Sequence, residues 1–245
     1  MSDSLSQTLR KLRLSGLAST LEVRLQEATA SGLNHREFLE LILQDELLVR
    51  NDRLINRRLT AAGFRDTRTL EDFDFSFNPS IKKAKVFELA TGRFIREHRD
   101  LLLVGPPGTG KTHLLNALAY TACEKGLSVH FTRVIDMINT LTTAQLKGTL
   151  EKTLKIYIRP ALLLLDELGY LPIDRRGANL LFQVVAARYE SGAIVLSTNR
   201  PFRDWGQTFD VDNTLATAMI DRLMHHGEPI VIQGDSYRMK DKGNE

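Results

Sequence analysis

The chain has 245 residues, of which 42% are hydrophobic and 26% are charged, and its formal net charge at pH 7 is +3. These values are typical of a globular protein with one substantial core, alone or with a small appended domain, and the weak positive charge permits a nucleic-acid partner without requiring one. The single cysteine, Cys123, excludes an intramolecular disulfide bond. No stretch has the pattern of a signal peptide or a membrane span, so we expect a cytoplasmic protein with no membrane partner.

Leucine residues recur mostly every three to five positions between residues 5 and 30, a pattern that predicts a pair of amphipathic helices with Gly16 as a possible bend. Asn34 followed by Glu37 has the spacing of a capping box and predicts the start of a second helical stretch, which ends at Gly63. We therefore expect residues 1–66 to form a small all-helical N-terminal domain.

A row of arginine residues lies at helical spacing along one side of this second stretch. The row consists of Arg50, Arg53, Arg57 and Arg58. Such a row contacts DNA phosphates, or it is a solvated face whose charge is balanced by the neighbouring Asp45, Glu46 and Asp52. The sequence favours neither reading, and DNA contact is kept as a hypothesis.

Residues 67–78 are rich in turn-forming and aromatic residues, which predicts a packed linker. Its phenylalanines at positions 73, 75 and 77 are candidates for the wall of an adenine pocket. We expect the main domain to occupy residues 79–245, with Pro79 opening a helix that runs to about His98.

In this main domain, apolar segments of strand length alternate with helical segments. The alternation predicts an α/β fold of three layers, with a parallel sheet between two layers of helices. Strands are expected at residues 101–104, 128–132, 161–165 and 193–197. Helices are expected from Lys111 and at residues 134–144, 148–157, 176–191 and 213–226, followed by a terminal hairpin around Gly234.

The segment GPPGTGKT at residues 105–112 lies directly between a predicted strand and a predicted helix. Its glycines let successive backbone N–H groups point at an anion, and the helix N-terminus adds the positive end of its dipole. Lys111 is then placed to reach the β- and γ-phosphates of a nucleotide, and the Thr112 hydroxyl to ligate Mg²⁺. The dinucleotide-binding fingerprint is a weaker alternative because it does not require Lys111 and Thr112. The predicted nucleotide-binding residues are Gly105, Pro106, Pro107, Gly108, Thr109, Gly110, Lys111, Thr112 and His113.

Two acidic residues, Asp166 and Glu167, follow the apolar run at residues 161–165. A run of this kind predicts a strand buried on both faces. Asp166 at its end is placed to hold Mg²⁺ opposite Thr112, partly through water, and Glu167 to orient the water that attacks the γ-phosphate. Downstream of a phosphate-binding loop, this pair predicts a nucleotide-hydrolysing site.

Two more residues fit a role in phosphoryl transfer. Asn199 ends the segment after residues 193–197, where its amide can hydrogen-bond the attacking water or the γ-phosphate; the simpler interpretation is a turn-forming asparagine before Pro201. Arg222 lies in the last predicted helix, and a guanidinium supplied by a neighbouring molecule stabilises a phosphoryl transition state. The predicted catalytic residues are Glu167, Lys111, Asn199 and Arg222.

The order and spacing of these segments resemble the Walker A, Walker B, sensor 1 and arginine-finger motifs of AAA+ ATPases. More narrowly, the chain resembles the IstB family, the helper ATPases of bacterial insertion sequences, which are related to the DnaC and DnaI helicase loaders. The segments that carry this resemblance are DELGYLP at residues 166–172, STNRPF at 197–202, DRLMHH at 221–226 and GDSYR at 234–238. The resemblance covers nearly the whole chain.

The resemblance implies an AAA+ P-loop core that uses ATP and Mg²⁺, hydrolyses ATP under stimulation by DNA, and assembles as a homo-oligomer on double-stranded DNA. It also implies a role in DNA transposition, in which the assembly recruits and stimulates the cognate transposase. Only a short tail follows the helix of Arg222, so we expect no full C-terminal lid domain and assign Arg238 to the place of the lid's sensor arginine. A helicase loader that holds single-stranded DNA is the alternative, whereas Glu167 argues against a protein that only binds nucleotide.

The likeness to helicase loaders implies DNA contacts in the region around the loop that follows Glu167. The residues assigned to DNA there are Tyr170, Arg175 and Arg176 on that loop, with Lys147, Lys152 and Lys155 in the preceding helical segment. Basic side chains of this kind bind phosphates without reading sequence. The six histidines and Cys123 show no metal-ligand spacing, so Mg²⁺ is the only metal expected.

Overall fold

A computed structural model describes residues 3–64, 68–209 and 213–237. The chain divides into two compact units, the first ending at Arg57 and the second beginning at Arg58. This division falls inside one long helix, and each unit is described separately. The arrangement as a domain of residues 1–66, a linker of residues 67–78 and a main domain of residues 79–245 remains a prediction.

The first unit contains helix α1 (Asp3–Lys11), helix α2 (Ser15–Ser31) and helix α3 (His35–Ala62) as far as Arg57. The predicted helix pair is present, but its break falls before Ser15, and Gly16 lies within α2. A Cβ atom at Gly16 would lie 2.9 Å from the Cα atom of Glu46, so glycine is needed here because α2 and α3 pack closely. Leu9, Leu17, Leu21 and Ile42 form the small apolar core of this unit.

Helix α3 begins with the predicted capping box. Asn34 Oδ1 accepts hydrogen bonds from the backbone N–H groups of Arg36 and Glu37, both at 3.0 Å. Glu37 Oε2 in turn accepts one from the Asn34 backbone N–H at 2.9 Å. Three backbone donors near the start of the helix are thereby paired. Because all of these hydrogen bonds lie within four residues, the spacing of Asn34 and Glu37 alone predicts the helix start.

The second unit is built on one parallel sheet of five strands. The strands are β1 (Leu101–Val104), β2 (Val129–Arg133), β3 (Leu162–Leu168), β4 (Ala193–Thr198) and β5 (Glu228–Val231), in the order β2-β3-β4-β1-β5. The predicted terminal hairpin around Gly234 is wrong: β5 pairs in parallel with β1, and within the described residues no strand follows Val231. A helix precedes β5 and returns the chain to the starting end of the sheet, which makes the next strand parallel.

Helices cover both faces of this sheet. They are α4 (Lys83–Ala90), α5 (Arg93–Arg96), α6 (Lys111–Glu124), α7 (Val134–Leu146), α8 (Leu150–Ile158), α9 (Arg175–Arg188), α10 (Trp205–Thr208) and α11 (Asn213–His225). Leu102 and Val104 pack in a core with α7, α8, α9 and α11, whereas Leu101 and Leu103 pack in a second core with α4, α5 and α6. Successive side chains of a strand point to opposite faces, so the predicted three-layer arrangement is confirmed.

One expected helix is interrupted. The sequence predicts a single helix from Pro79 to about His98, but α4 begins at Lys83 and ends at Ala90, and α5 begins only at Arg93. Gly92 between them has a φ of +73°, in the left-handed region, which ends the helix and changes the chain direction. Among all described residues, no helix combines the length and apolar character required to cross a membrane.

Candidate functional site

The glycine-rich loop joins β1 to α6 with the backbone geometry that its glycines allow. Gly108 and Gly110 have φ angles of +80° and +94°, a region that residues with a Cβ atom rarely adopt. Lys111 is the first residue of α6, and its Nζ atom donates to the backbone oxygens of Gly105 and Pro106, at 2.8 and 2.6 Å. A buried ammonium group therefore lies against the carbonyl groups of the loop, beside the backbone donors at the helix N-terminus.

A cavity of about 420 Å³ opens beside this loop, within the size range of ligand pockets. It is lined by residues 108–113 and Asn116, by the segment at residues 68–78, and by Glu167, Tyr170 and Tyr237. The lining thus combines the glycine loop and Lys111 with aromatic and amide side chains. The first set suits the phosphates of a nucleotide, and the second suits a flat base.

Thr112 and Asp166 are in contact, as their positions in the sequence predict. The Thr112 hydroxyl donates a hydrogen bond to Asp166 Oδ2 at 3.0 Å. The Asp166 carboxylate is buried at the carboxyl end of β3, and its Oδ1 atom accepts a second hydrogen bond from the Ser197 hydroxyl. A hydroxyl and a carboxylate are the oxygen donors that Mg²⁺ prefers, so these two residues fit that ion.

Glu167 lies next to this pair in an unusual backbone conformation. Its φ is +64°, and the pairing of β3 with β4 shifts register between Leu165 and Leu168. The Glu167 backbone N–H donates to the Ser197 hydroxyl oxygen at 3.1 Å, while its partly exposed side chain lines the cavity. A non-glycine residue in the left-handed conformation is uncommon, and here it occurs at a carboxylate that lines the cavity.

Sequence reasoning missed two polar residues that contact this acidic pair. Ser197 lies on β4 beside β3, and Arg133 lies opposite Asp166 in the register of β2. Arg133 Nη1 is 3.9 Å from Glu167 Oε2, and the same guanidinium is held by Asp136 through hydrogen bonds of 2.8 and 3.0 Å. Their signal in the sequence is a polar residue at the end of an apolar strand, which becomes informative only when the strand order is known.

Asn199 lies just after β4, and β4 lies between β1 and β3 as expected. Its Oδ1 atom is buried and has no hydrogen-bond partner within the described structure. The Arg222 guanidinium instead lies 4.7 Å from the centre of the Phe182 ring and donates to the Ala218 backbone oxygen at 3.0 Å. Among the described residues that line the cavity, neither Asn199 nor Arg222 is present.

The chain approaches the glycine loop again near its C-terminus. The Tyr237 backbone N–H donates to the Gly108 backbone oxygen at 2.9 Å, and the Tyr237 ring packs edge-on against Phe77 at 4.9 Å. Arg238, expected near the nucleotide, lies outside the described residues, and its role remains a prediction.

Two of the three candidate adenine-pocket phenylalanines reach the cavity. Phe73 and Phe77 line it, and the Phe73 ring packs edge-on against His113 at 5.1 Å. Phe75 packs on Phe73 and Phe87 instead and is not among the described lining residues. The His113 ring is fixed by a 3.0 Å hydrogen bond between Nε2 and the Thr69 backbone oxygen.

The row of arginines on α3 is partly paired. Arg50 forms an ion pair with the buried Glu46 at 2.7 Å, and Arg53 Nη1 donates to the Ser15 hydroxyl at 2.5 Å. Arg57 is exposed, and Arg58, which belongs to the second unit, lies beside Gly126. Of the two interpretations of this row, the one in which a neighbouring carboxylate balances the charge therefore applies to Arg50.

The lysine and arginine residues assigned to DNA between residues 147 and 176 are exposed, but one expectation about them is wrong. Arg175 and Arg176 form the first turn of α9 and not a loop, because Asp174 caps this helix by accepting from the Gly177 backbone N–H at 2.8 Å. Arg176 Nε donates to Gln145 Oε1 at 2.8 Å. Lys147 follows α7, whereas Lys152 and Lys155 lie on α8, with Lys155 3.8 Å from Glu151. Tyr170 lines the cavity, and its assignment to DNA remains a prediction.

One cluster of potential metal ligands was not predicted from the spacing of the histidines in the sequence. His225 and His226 at the end of α11 lie beside Glu190, with potential ligand atoms within 4.8 Å of one another. The Tyr189 hydroxyl contacts His225 Nδ1 at 2.7 Å, and His226 Nε2 lies 3.0 Å from His225 Nδ1 and 3.2 Å from Glu190 Oε1. All three ligand residues are exposed, and mutual hydrogen bonds account for their positions.

Comparison with known proteins places this geometry in a family. Residues 7–245 match the model of the IstB-like ATP binding protein family. The chain is 42% identical over 234 residues to a protein of Pseudomonas aeruginosa named as an ATP-binding protein of insertion sequence IS21, covering 96% of this chain and 88% of that protein. It is 35% identical over 242 residues to a protein of Geobacillus stearothermophilus named likewise for insertion sequence IS5376, covering 99% and 96%.

Solved structures show the same fold at lower identity. AMPPCP-bound DnaA from Aquifex aeolicus superposes with a TM-score of 0.59 at 24% identity, covering 73% of this chain and 54% of that one. DnaI superposes with a TM-score of 0.55 at 21% identity, covering 69% and 89%. The second unit therefore has the AAA+ P-loop fold, and the chain belongs to the family of IstB-like ATP-binding proteins of insertion sequences.

Proposed function

We propose that this protein is a Mg²⁺-dependent ATPase that assembles on double-stranded DNA and helps the transposase of an insertion sequence. The observation that carries the proposal is that Lys111, Thr112 and Glu167 line one cavity, with Asp166 hydrogen-bonded to Thr112 directly behind it. A binding loop alone serves for nucleotide binding, but a metal-binding pair with a second carboxylate beside it is what hydrolysis requires. The names of the related insertion-sequence proteins support ATP as the ligand.

In the proposed reaction, Lys111 exchanges the carbonyl oxygens of Gly105 and Pro106 for the β- and γ-phosphate oxygens. Thr112 and Asp166 would hold Mg²⁺, which would supply positive charge to offset the charge of the phosphates. Glu167 accepts a hydrogen bond from the attacking water and orients it in line with the γ-phosphate. Asn199, with its unpaired Oδ1 atom, makes a further contact to that water.

Completion of the site by a second copy is part of this proposal. Arg222 is held against Phe182 of its own chain, away from the described lining of the cavity. We assign it to the nucleotide of a neighbouring protomer, where a guanidinium stabilises the transition state. ATP binding then favours an oligomer, and hydrolysis loosens it. Arg222→Ala should retain ATP binding and lose most DNA-stimulated hydrolysis, whereas an unchanged stimulated rate contradicts the assignment.

DNA contact is assigned to two groups of basic residues, all exposed except the partly buried Arg58. The first group consists of Arg50, Arg53, Arg57 and Arg58. The second group consists of Lys147, Lys152, Arg175 and Arg176. Their side chains bind phosphates, so affinity for DNA should fall as salt rises. Charge reversal within either group should weaken binding and flatten its salt dependence; binding that stays unchanged at moderate salt removes that group from the interface.

The decisive experiment measures ATP hydrolysis and particle size together, without DNA, with duplex DNA and with single-stranded DNA. Wild type is compared with Glu167→Gln, and Glu151→Gln on the exposed face of α8 is the matched control. We expect large particles with ATP and duplex DNA, and Glu167→Gln should form them without disassembling. Stimulation by single-stranded DNA alone, or a lack of assembly, would contradict the proposal and favour a helicase loader.

A further inference from the structure

Two buried side-chain amides beside the cavity have no role in the reaction described above. Asn78 and Asn116 are only 4% and 7% exposed, and both line the cavity. Within the described residues, Asn78 Nδ2 and Asn116 Oδ1 have no hydrogen-bond partner. Buried polar atoms without partners are rare in folded proteins because each gives up its bonds to water without replacement. Two of them in the wall of one cavity indicate a ligand that supplies the missing partners.

The orientation of the Asn78 amide is fixed by its neighbours. Its Oδ1 atom accepts hydrogen bonds from the Ser80 backbone N–H at 3.1 Å and from the Ser80 hydroxyl at 2.6 Å. Rotation of the amide by 180° would place its NH₂ group against a backbone donor and lose that hydrogen bond, so the free end of Asn78 is a donor.

Asn116 lies on α6 one turn after His113, at the spacing that places two side chains on the same face of a helix. His113 contacts Phe73, and Phe73 and Phe77 line the same cavity. The cavity therefore has two kinds of lining. Residues 108–112 offer a cationic group and backbone donors, whereas Phe73 and Phe77 offer aromatic rings, together with the unpaired Asn78 Nδ2 and Asn116 Oδ1 atoms. Aromatic walls with a few polar groups at the edges are suited to a flat heterocycle.

We infer that Asn78 and Asn116 recognise the adenine base. Asn78 Nδ2 donates a hydrogen bond to a ring nitrogen, and Asn116 Oδ1 accepts one from the 6-amino group. Adenine presents an acceptor nitrogen next to this donor amine, so it supplies both missing partners. The inference rests on the proposed function in so far as ATP occupies the cavity, and it adds the side chains that select the base.

The test compares ATP with purine riboside triphosphate, which lacks only the 6-amino group. Wild-type protein should bind ATP about tenfold more tightly, the usual effect of one buried hydrogen bond. In Asn116→Leu this difference should disappear, because the variant has no acceptor for the amino group. Asn139→Leu, a change of an exposed asparagine on α7, is the matched control and should keep the difference.

Asn78→Asp keeps the acceptor for Ser80 and removes the donor. It should lower ATP affinity about tenfold. Inorganic triphosphate, which has no base, separates loss of the donor from repulsion by the new charge, and its binding should be unchanged. If both Asn78→Asp and Asn116→Leu lose binding of every ligand because they fold poorly, the comparison of the two nucleotides on wild-type protein still decides the role of the amino group.

Wild-type protein that binds the two nucleotides equally overturns the inference, and so does Asn116→Leu that still discriminates between them. These results leave the proposed function intact if Lys111→Ala abolishes ATP binding. If wild-type protein binds neither ATP nor inorganic triphosphate, the proposed function itself fails, so the two failures are distinguishable.

Discussion

The hydroxyl group of Ser197 donates a hydrogen bond to the buried carboxylate of Asp166. The same hydroxyl oxygen accepts the backbone N–H of Glu167, so one side chain on β4 holds both acidic residues at the end of β3. Because β3 and β4 are adjacent and parallel, the ends of their apolar runs meet at the same edge of the sheet. The two carboxylates to which we assign Mg²⁺ and the attacking water are thereby positioned by a residue that need not touch nucleotide.

Ser197→Ala should lower the rate of ATP hydrolysis about 10- to 100-fold with little change in ATP affinity. Removal of the hydroxyl frees the Asp166 carboxylate and the backbone of Glu167. Small displacements of groups at the reacting centre lower reaction rates by factors of this size. Steady-state kinetics measures kcat and KM separately. Ser191→Ala, which removes an exposed hydroxyl bonded to Ala187 within α9 and its turn, is the control. An unchanged kcat in Ser197→Ala would show that the geometry persists without the hydroxyl.

Arg133→Met should raise hydrolysis in the absence of DNA by up to about fivefold. The Arg133 guanidinium lies 3.9 Å from Glu167 Oε2 and draws this side chain toward β2. Both side chains are partly exposed, and water screens ion pairs of this kind, which limits the effect to a few-fold change in rate. The rate without DNA is compared with that of Arg96→Met, an exposed arginine on α5. A lower rate in Arg133→Met would mean that the arginine assists the reaction instead of restraining Glu167.

The phosphate-binding loop was predictable from sequence because its determinants are local. Gly108, Gly110, Lys111 and Thr112 act through the backbone of one turn and the first residues of one helix, so eight consecutive residues carry the whole signal. The capping box of Asn34 and Glu37 was predictable for the same reason. The parallel sheet followed from the alternation of strands and helices, because a crossover helix requires a parallel return.

Residues that act through the register between strands were not predictable. Ser197 and Arg133 contact the pair Asp166 and Glu167 only because β4 and β2 flank β3. The spacing of these residues in the sequence does not indicate the order of the strands in the sheet. Asn78 and Asn116 are 38 positions apart, in a loop and a helix, and meet only at the wall of one cavity. The parallel pairing of β5 was not predictable from the turn signal near Gly234, because it depends on the helix before β5 and on the free edge of β1.

Glu46→Gln should destabilise the first unit and make the stability of this unit less dependent on pH in the acidic range. Glu46 Oε2 accepts the backbone N–H groups of Gly16 and Leu17 at 2.8 and 3.0 Å, and Oε1 pairs with Arg50 at 2.7 Å. Burial alone would raise the pKa of Glu46, but hydrogen bonds from Arg50, Leu17 and Gly16 hold it below its ordinary value. A lowered pKa in the folded state contributes stability above about pH 4.5, and this contribution is lost as pH falls further.

Hydrogen exchange at the Gly16 and Leu17 amides measures this effect directly. Loss of charge at Glu46 should cost about 1–3 kcal/mol of local stability at pH 7, so both amides should exchange faster in Glu46→Gln. The difference between variant and wild type should shrink as pH falls below 4.5, because the wild-type carboxylate becomes protonated. Glu40→Gln, near the exposed start of α3, is the control. Equal protection in Glu46→Gln and wild type at pH 7 would contradict this account.

Asp100→Asn should stabilise the second unit at neutral pH and flatten its pH dependence. Asp100 is buried before β1 and accepts the Ile194 backbone N–H at 2.7 Å. Burial raises its pKa to about 7, although the hydrogen bond from Ile194 and the charge of Arg188 oppose the rise. A raised pKa of a carboxyl group means that the folded state binds a proton more tightly than the unfolded chain does. Stability from this group is therefore present below about pH 4 and is lost as pH rises through 7.

The amide of the asparagine keeps an oxygen for Ile194 and carries no charge, so the variant should not lose stability across this interval. At pH 8 it should be more stable than wild type by no more than about 4 kcal/mol, and at pH 4 the two should be similar. Urea unfolding followed by Trp205 fluorescence reports on the second unit alone, since the sequence has one tryptophan and it is buried there. Asp52→Asn on the exposed face of α3 is the control. The opposite result would be a wild-type protein whose stability rises from pH 4 to pH 7 relative to that of Asp100→Asn. It would show that the Asp100 carboxylate is stabilised in the folded state by its partners, Arg188 among them.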